Sequence, residues 1–109
     1  MISRLFIELT AFKNKVDALG GQRLLQTIQE ELLKDPTKGD LIKGAGGVRK
    51  LRVAKEKSGK SGGYRVFYLD LPRKGTTYLM ALLDKRQSEN ISDEEKSALR
   101  VLAKSVKGA

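Results

Sequence analysis

The central stretch of the sequence, Val48-Arg49-Lys50-Leu51-Arg52-Val53-Ala54, decides the fold. Leu51 and Val53 alternate with Lys50 and Arg52, which is the period of two that a β-strand gives its side chains. Such a strand covers a core with its apolar face and presents both cations on the other face. The sequence therefore predicts a strand with a basic outer face near the middle of the chain.

Three further strands are expected around this one. Residues 3–9 alternate in polarity, while residues 64–71 and 76–83 are rich in β-branched, aromatic and leucine side chains. Pro72 to Gly75 supplies a turn between the last two. Residues 55–63 contain glycines, serines and lysines without an apolar side chain, and this composition predicts an exposed hairpin tip.

Helical spacing occupies both ends of the chain. Phe12, Val16 and Leu19 precede a break at Gly20-Gly21, and a second helix follows until Asp35-Pro36. A Ser-x-x-Glu capping box at Ser92 starts a C-terminal helix. The order is β-α-α-β-β-β-α. We expect one α+β domain over residues 1–109, in which a small antiparallel sheet carries an N-terminal helical hairpin and a C-terminal helix.

Composition excludes several functional classes. The chain has no cysteine and no histidine, so disulfides, thiolate zinc sites and histidine general bases are absent. The longest apolar run, Tyr78 to Leu83, is too short to cross a membrane. No carboxylate pair lies near the basic segment, and Gly59-Lys60-Ser61 lacks the preceding glycine of a P-loop. We expect a cytoplasmic protein that uses no metal or other cofactor.

The positive charge is focused in one segment. The formal charge of the chain is +9, and residues 43–74 carry +8 of it through ten basic and two acidic residues. A focused basic surface suits a polyanion, because each neutralised phosphate releases condensed counterions. The alternative is a solvated basic face that only keeps the protein soluble. In a meander, neighbouring strands bring five cations within reach of one phosphate: Lys50, Arg52, Arg65, Lys85 and Arg86.

The central block also resembles a known family. A glycine turn at residues 44–47, the strand Arg49-Lys50-Leu51-Arg52, a basic loop, and Gly63-Tyr64-Arg65-Val66-Phe67-Tyr68 occur together in this order. This combination resembles the HigB-like branch of the RelE/ParE toxin superfamily, and the resemblance covers nearly the whole chain.

The resemblance implies a toxin that an antitoxin from the same operon inhibits, the antitoxin being a helix-turn-helix protein. Such toxins cut messenger RNA in the ribosomal A site without a metal, by attack of the ribose 2′-hydroxyl on the adjacent phosphorus. By position, Arg65 and Arg86 would hold phosphate oxygens, as their planar forks suit. Lys50 would transfer protons because Arg52 and Arg65 disfavour its charged form, and Lys85 could share that role. The remaining RNA contacts would come from Arg49, Lys55, Lys57, Lys60, Tyr64 and Tyr68.

Two departures from the family pattern bear on the site. Nothing from Arg86 to Ser92 is aromatic, so the stacking role of a tyrosine after the last strand is vacant or falls to Tyr64 or Tyr68. Asp84 replaces a usual glycine and is expected to place a carboxylate beside the phosphate. Two other functions stay open: a ParE-like gyrase poison, which would break DNA, and an RNA-binding relative without chemistry.

Overall fold

The structure is a computed structural model, and it describes residues 4–54, 63–84 and 91–108. Three helices and five strands lie in these ranges, together with one short 3₁₀ turn. In chain order they are β1 (Leu5–Glu8), α1 (Thr10–Leu19), α2 (Gly21–Lys34), β2 (Asp40–Leu41), β3 (Arg49–Val53), β4 (Tyr64–Leu71), the 3₁₀ turn (Pro72–Lys74), β5 (Thr76–Asp84) and α3 (Asp93–Lys107).

The five strands form one mixed sheet in the order β1-β5-β4-β3-β2. β3, β4 and β5 pair antiparallel, as the sequence predicts. β2 also pairs antiparallel with β3, whereas β1 pairs parallel with β5. The α+β class, the N-terminal helical pair and the C-terminal helix are confirmed. β2 is an addition to the predicted order, because two residues are too few to produce a recognisable alternation.

Each face of the sheet carries its own core. α1 and α2 cover one face, where Phe12, Val16, Ile28 and Leu32 pack against alternate residues of β3, β4 and β5. α3 covers the other face through Leu99 and Ala103, which pack with Val48, Phe67, Leu69 and Met80. Full burial of one such large side chain stabilises the fold by about 1.5–3 kcal/mol. We call these the α1/α2 face and the α3 face.

Local signals set the ends of the elements. The side chain of Ser92 accepts a hydrogen bond from the Glu95 backbone nitrogen at 3.1 Å, and the Glu95 carboxylate accepts one from the Ser92 nitrogen at 3.0 Å. The predicted capping box is therefore present and starts α3. At the β4–β5 turn, Gly75 adopts φ 59°, a left-handed conformation that favours glycine.

A buried ion pair joins β1 to the sheet. The Arg4 guanidinium contacts the Asp70 carboxylate, and both side chains are about nine-tenths buried. Thr77 donates a hydrogen bond to the same Asp70 oxygen at 2.9 Å and lies 3.3 Å from the guanidinium. Asp70 is on β4 and Thr77 on β5, so the cluster ties the start of the chain to two central strands.

Candidate functional site

The predicted alternation of β3 is present in the structure. Leu51 and Val53 are buried in the α1/α2 core, and Lys50 and Arg52 therefore lie on the α3 face. Arg52 is exposed and Lys50 is half-buried. Both cations lie on a strand that pairs with β4, and Lys50 also pairs with β2, so the ladder fixes the spacing of their backbones.

Strand register brings a third cation to the same face. Arg52 of β3 lies directly opposite Arg65 of β4, and Lys50 lies opposite Phe67. Residues directly opposite one another in an antiparallel ladder share a face, with Cβ atoms about 5 Å apart. Lys50, Arg52 and Arg65 thus form one cluster, which we call the cationic triad.

Arg65 is the unusual member of the triad. Its side chain is almost entirely buried, with 6% of the residue exposed. Its guanidinium donates to the backbone oxygen of Tyr64 at 3.4 Å, and no carboxylate in the described part of the chain forms an ion pair with it. A buried charge is costly unless it is paired. A bound anion would therefore supply a counter-charge for this guanidinium.

Tyr68 does not lie on this surface, and its predicted contact with RNA is wrong. The ring is fully buried on the α1/α2 face. The hydroxyl donates to the Pro36 oxygen at 2.8 Å and accepts from the Gly39 nitrogen at 3.0 Å. Burial raises the pKa of the Tyr68 hydroxyl, partly offset by the hydrogen bond from the Gly39 backbone. A ring without exposed surface cannot stack on a base.

Arg49 also points away from the triad. It lies opposite Tyr68 in the ladder, on the α1/α2 face. Its guanidinium donates to the backbone oxygens of Thr37 at 3.2 Å and Gly39 at 2.7 Å. Arg49 and Tyr68 together fasten the loop that leads into β2, so the geometry gives both residues a structural role. The contact of Arg49 with RNA stays a prediction.

Tyr64 occupies a different surface again. It is half-buried, packs against the α1/α2 core, and lines a cavity of about 560 Å³ at the junction of α1 and α2. Because neighbouring strand residues point to opposite faces, its ring is not brought together with Arg65. The other predicted site residues lie outside the described residues: Lys55, Lys57, Lys60, Lys85 and Arg86.

Comparison with known proteins assigns the family. The family model described as the RelE toxin of the RelE/RelB toxin-antitoxin system matches residues 9–109. The chain belongs to the RelE toxin family. Its fold is similar to that of a double arginine-to-alanine mutant of Escherichia coli RelE in the free state, with 18% identity and a TM-score of 0.57, covering 80% of this chain and 88% of that one.

A second solved structure has the same fold. It is the intact E. coli RelBE toxin-antitoxin complex, with 17% identity and a TM-score of 0.54, covering 73% of this chain and 94% of the matched chain. At these identities the two structures show a shared fold for this RelE-family chain.

The register places Asp84 on the face opposite the triad. Asp84 of β5 pairs with Tyr64, whereas Arg65 pairs with Leu83. Asp84 is buried and lies on the α1/α2 face, so the sheet separates its carboxylate from the cationic triad. The expected proximity of Asp84 to Arg65 is therefore corrected, and its proximity to a phosphate at Lys85 and Arg86 stays a prediction.

Sequence reasoning missed two features next to the triad of this RelE-family chain. Asp40 of β2 lies opposite Lys50, on the same face. A cleft of about 190 Å³ lies between the sheet and the start of α3, and its lining includes Ile42, Lys50, Phe67, Ile91 and Lys96. Asp40 stands beside the glycine turn in the sequence, but only the two-residue strand β2 brings it to Lys50.

Two further observations concern metal ligands and membrane-spanning helices. Within residues 4–54, 63–84 and 91–108, no three His, Cys, Asp or Glu side chains are grouped so that they could hold a metal ion. No helix in these ranges is long and apolar enough to cross a membrane.

Proposed function

We propose that the protein is the toxin of a type II toxin-antitoxin system and a ribosome-dependent endoribonuclease of the HigB-like branch. It forms one domain over residues 1–109 and acts in the cytoplasm on translated messenger RNA. The observation that carries the proposal is the buried Arg65, which shares a sheet face with Arg52 and Lys50 and has no carboxylate partner in the described part of the chain. A phosphodiester supplies the anion that this arrangement accommodates.

The proposed reaction needs no metal. The ribose 2′-oxygen forms a bond to the adjacent phosphorus while the bond from phosphorus to the 5′-oxygen breaks. One proton leaves the 2′-hydroxyl and one is added to the departing 5′-oxygen, so the products are a 2′,3′-cyclic phosphate and a 5′-hydroxyl. Lys50 transfers one of these protons, because it is the lysine of the cationic triad and lies in the same ladder as both arginines.

Arg65 and Arg52 stabilise the charge that grows on the non-bridging phosphate oxygens. Guanidinium groups stay charged at any physiological pH and offer paired donors to an oxyanion. A preorganised donor of this kind typically contributes about a hundred- to a thousandfold in rate. Arg86 and Lys85 are proposed as additional phosphate and proton-transfer groups on the strength of the family pattern alone.

An antitoxin is the proposed protein partner. The chain belongs to the family of the RelE toxin from the RelE/RelB toxin-antitoxin system. One solved structure with this fold is a toxin-antitoxin complex. The triad offers cationic side chains to an acidic segment of such a partner, and the adjoining edge strand β2 offers its unpaired backbone edge. A binder that covered them would also exclude RNA.

Mapping of message 5′ ends after a brief pulse of expression tests the function. Wild-type protein should produce new 5′ ends within translated regions, and Arg65→Ala should abolish them. Arg73→Ala is the matched control, since it removes the same charge from an exposed position in the 3₁₀ turn. Full cutting by Arg65→Ala would refute the assigned site. Intact messages together with DNA breaks would instead indicate that the protein is a gyrase poison.

A further inference from the structure

The cleft beside the triad has one apolar side and one basic side. The half-buried Ile42 and Ile91 supply the accessible apolar surface, and the buried Phe67 lies beneath them as the base of the cleft. Lys50 and Lys96 supply the charged edges. Lys50 belongs to both the cleft and the cationic triad, so a molecule held by the triad is adjacent to the cleft opening.

The size and lining of the cleft suit a single flat heterocycle. Sites for drug-sized ligands typically enclose about 300–1,000 Å³, and this cleft encloses about 190 Å³. Apolar side chains pack well against the faces of a base, and stacking or apolar contact is the common means of holding an unpaired base. A lysine at the edge of the ring donates hydrogen bonds and accepts none.

The neighbouring helix end adds negative charge near the cleft. α3 begins at Asp93, and its first turn carries three carboxylates: Asp93, Glu94 and Glu95. The Ser92 capping box already satisfies the Glu95 backbone nitrogen. The described lining of the cleft itself consists of two lysines and three apolar side chains. Its apolar part favours the face of a base, whereas the triad attracts the phosphate of the same nucleotide.

We propose that the cleft seats a base of the RNA strand next to the phosphate held by Lys50, Arg52 and Arg65, and that Lys96 selects which base is accepted. This inference rests on the proposed function. Lys96 is half-buried, and its stem passes 4.0 Å from the Cβ position of Gly44. Because its ammonium only donates, it favours bases with an acceptor at the edge, such as the O6 of guanine or the O4 of uracil. Adenine and cytosine present an amino group there and are disfavoured.

A charge reversal at Lys96 gives the sharpest test. Cut positions are mapped for wild type, Lys96→Glu and the control Lys104→Glu, which removes an exposed lysine from the same helix. Wild type and the control should favour guanine or uracil at one fixed position beside the cut. Lys96→Glu should shift that position toward adenine or cytosine, because a carboxylate accepts from their amino groups. An unchanged base preference in Lys96→Glu would overturn the inference.

A binding measurement separates this inference from the proposed cleavage. Fluorescence anisotropy of purified protein compares a short labelled oligouridine with the same ribose-phosphate chain lacking its bases. We expect about tenfold tighter binding of the oligouridine, and a loss of that difference in Ile42→Ala with its fold verified by circular dichroism. Equal affinity for the two chains overturns the base site even when messages are cut. Tight base-dependent binding without any cut message refutes the proposed nuclease and leaves the base site in place.

Discussion

Removal of one hydroxyl, in Tyr68→Phe, tests the interpretation that Tyr68 holds the fold. The variant keeps the buried ring and deletes two hydrogen bonds, one to the Pro36 oxygen at 2.8 Å and one from the Gly39 nitrogen at 3.0 Å. A typical buried hydrogen bond contributes about 0.5–1.5 kcal/mol net, and a buried donor left without an acceptor costs about 1–3 kcal/mol. We expect the free energy of unfolding to fall by about 2–3 kcal/mol.

The measurement is a urea titration followed by circular dichroism. Small proteins unfold with slopes of about 1–3 kcal/mol per M urea, so a loss of this size lowers the midpoint by about 0.7–3 M at an unchanged slope. Tyr78→Phe is the matched control. Tyr78 lies on β5, and its hydroxyl makes no hydrogen bond that we identify within the described residues, so its removal should shift the midpoint little.

Two outcomes would count against this reasoning. If Tyr68→Phe and Tyr78→Phe lower the midpoint equally, the hydroxyl of Tyr68 does not fasten the loop before β2. If Tyr68→Phe leaves stability unchanged and instead abolishes RNA binding, the ring is part of an RNA surface after all. Loss of stability alone would leave the cationic triad intact, because Tyr68 lies on the opposite face of the sheet.

Three further predictions concern pH, the buried ion pair and the helix cap. Burial raises the pKa of the Tyr68 hydroxyl above its ordinary value of 10.0. The stability that the neutral hydroxyl contributes is therefore fully present below the pKa of tyrosine in the unfolded chain, and it is lost as pH rises above about 10. In parallel urea titrations, wild type should lose stability in this pH range relative to Tyr68→Phe. Asp70→Asn leaves the Arg4 charge buried without its partner and should cost about 3–5 kcal/mol, visible as a lower Tm in calorimetry. Ser92→Ala removes the α3 cap and should cost about 1 kcal/mol in the same experiment, without altering the slope of a urea titration.

The alternation of β3 shows what the sequence can predict well. Leu51 and Val53 must face a core, and this requirement alone sets Lys50 and Arg52 on the other side. The capping box of α3 is equally local, because its two hydrogen bonds join residues three apart. Both features depend on neighbours in the chain, so no knowledge of the tertiary fold is needed.

Tyr68 shows where such reasoning fails. β4 is covered on both faces, so Val66, Phe67, Tyr68 and Leu69 are all buried and their polarity does not alternate. A tyrosine in a run of this kind can point to solvent or to either core, and the sequence does not distinguish these cases. Only the loop before β2, which supplies partners for the hydroxyl, explains why a polar group is stable there.

Register also decides how Asp84 should be understood. Arg65 and Asp84 are close along the paired strands, but they occupy adjacent ladder positions and therefore opposite faces. A carboxylate across the sheet does not compete with phosphate for the same guanidinium. The same argument separates Arg49 from Lys50, which are neighbours in the chain and differ in role, one donating to loop carbonyls and the other bordering the cleft. In a sheet with a core on each face, a shift of one residue moves a cation from the face of the cationic triad to the face where it supports a loop.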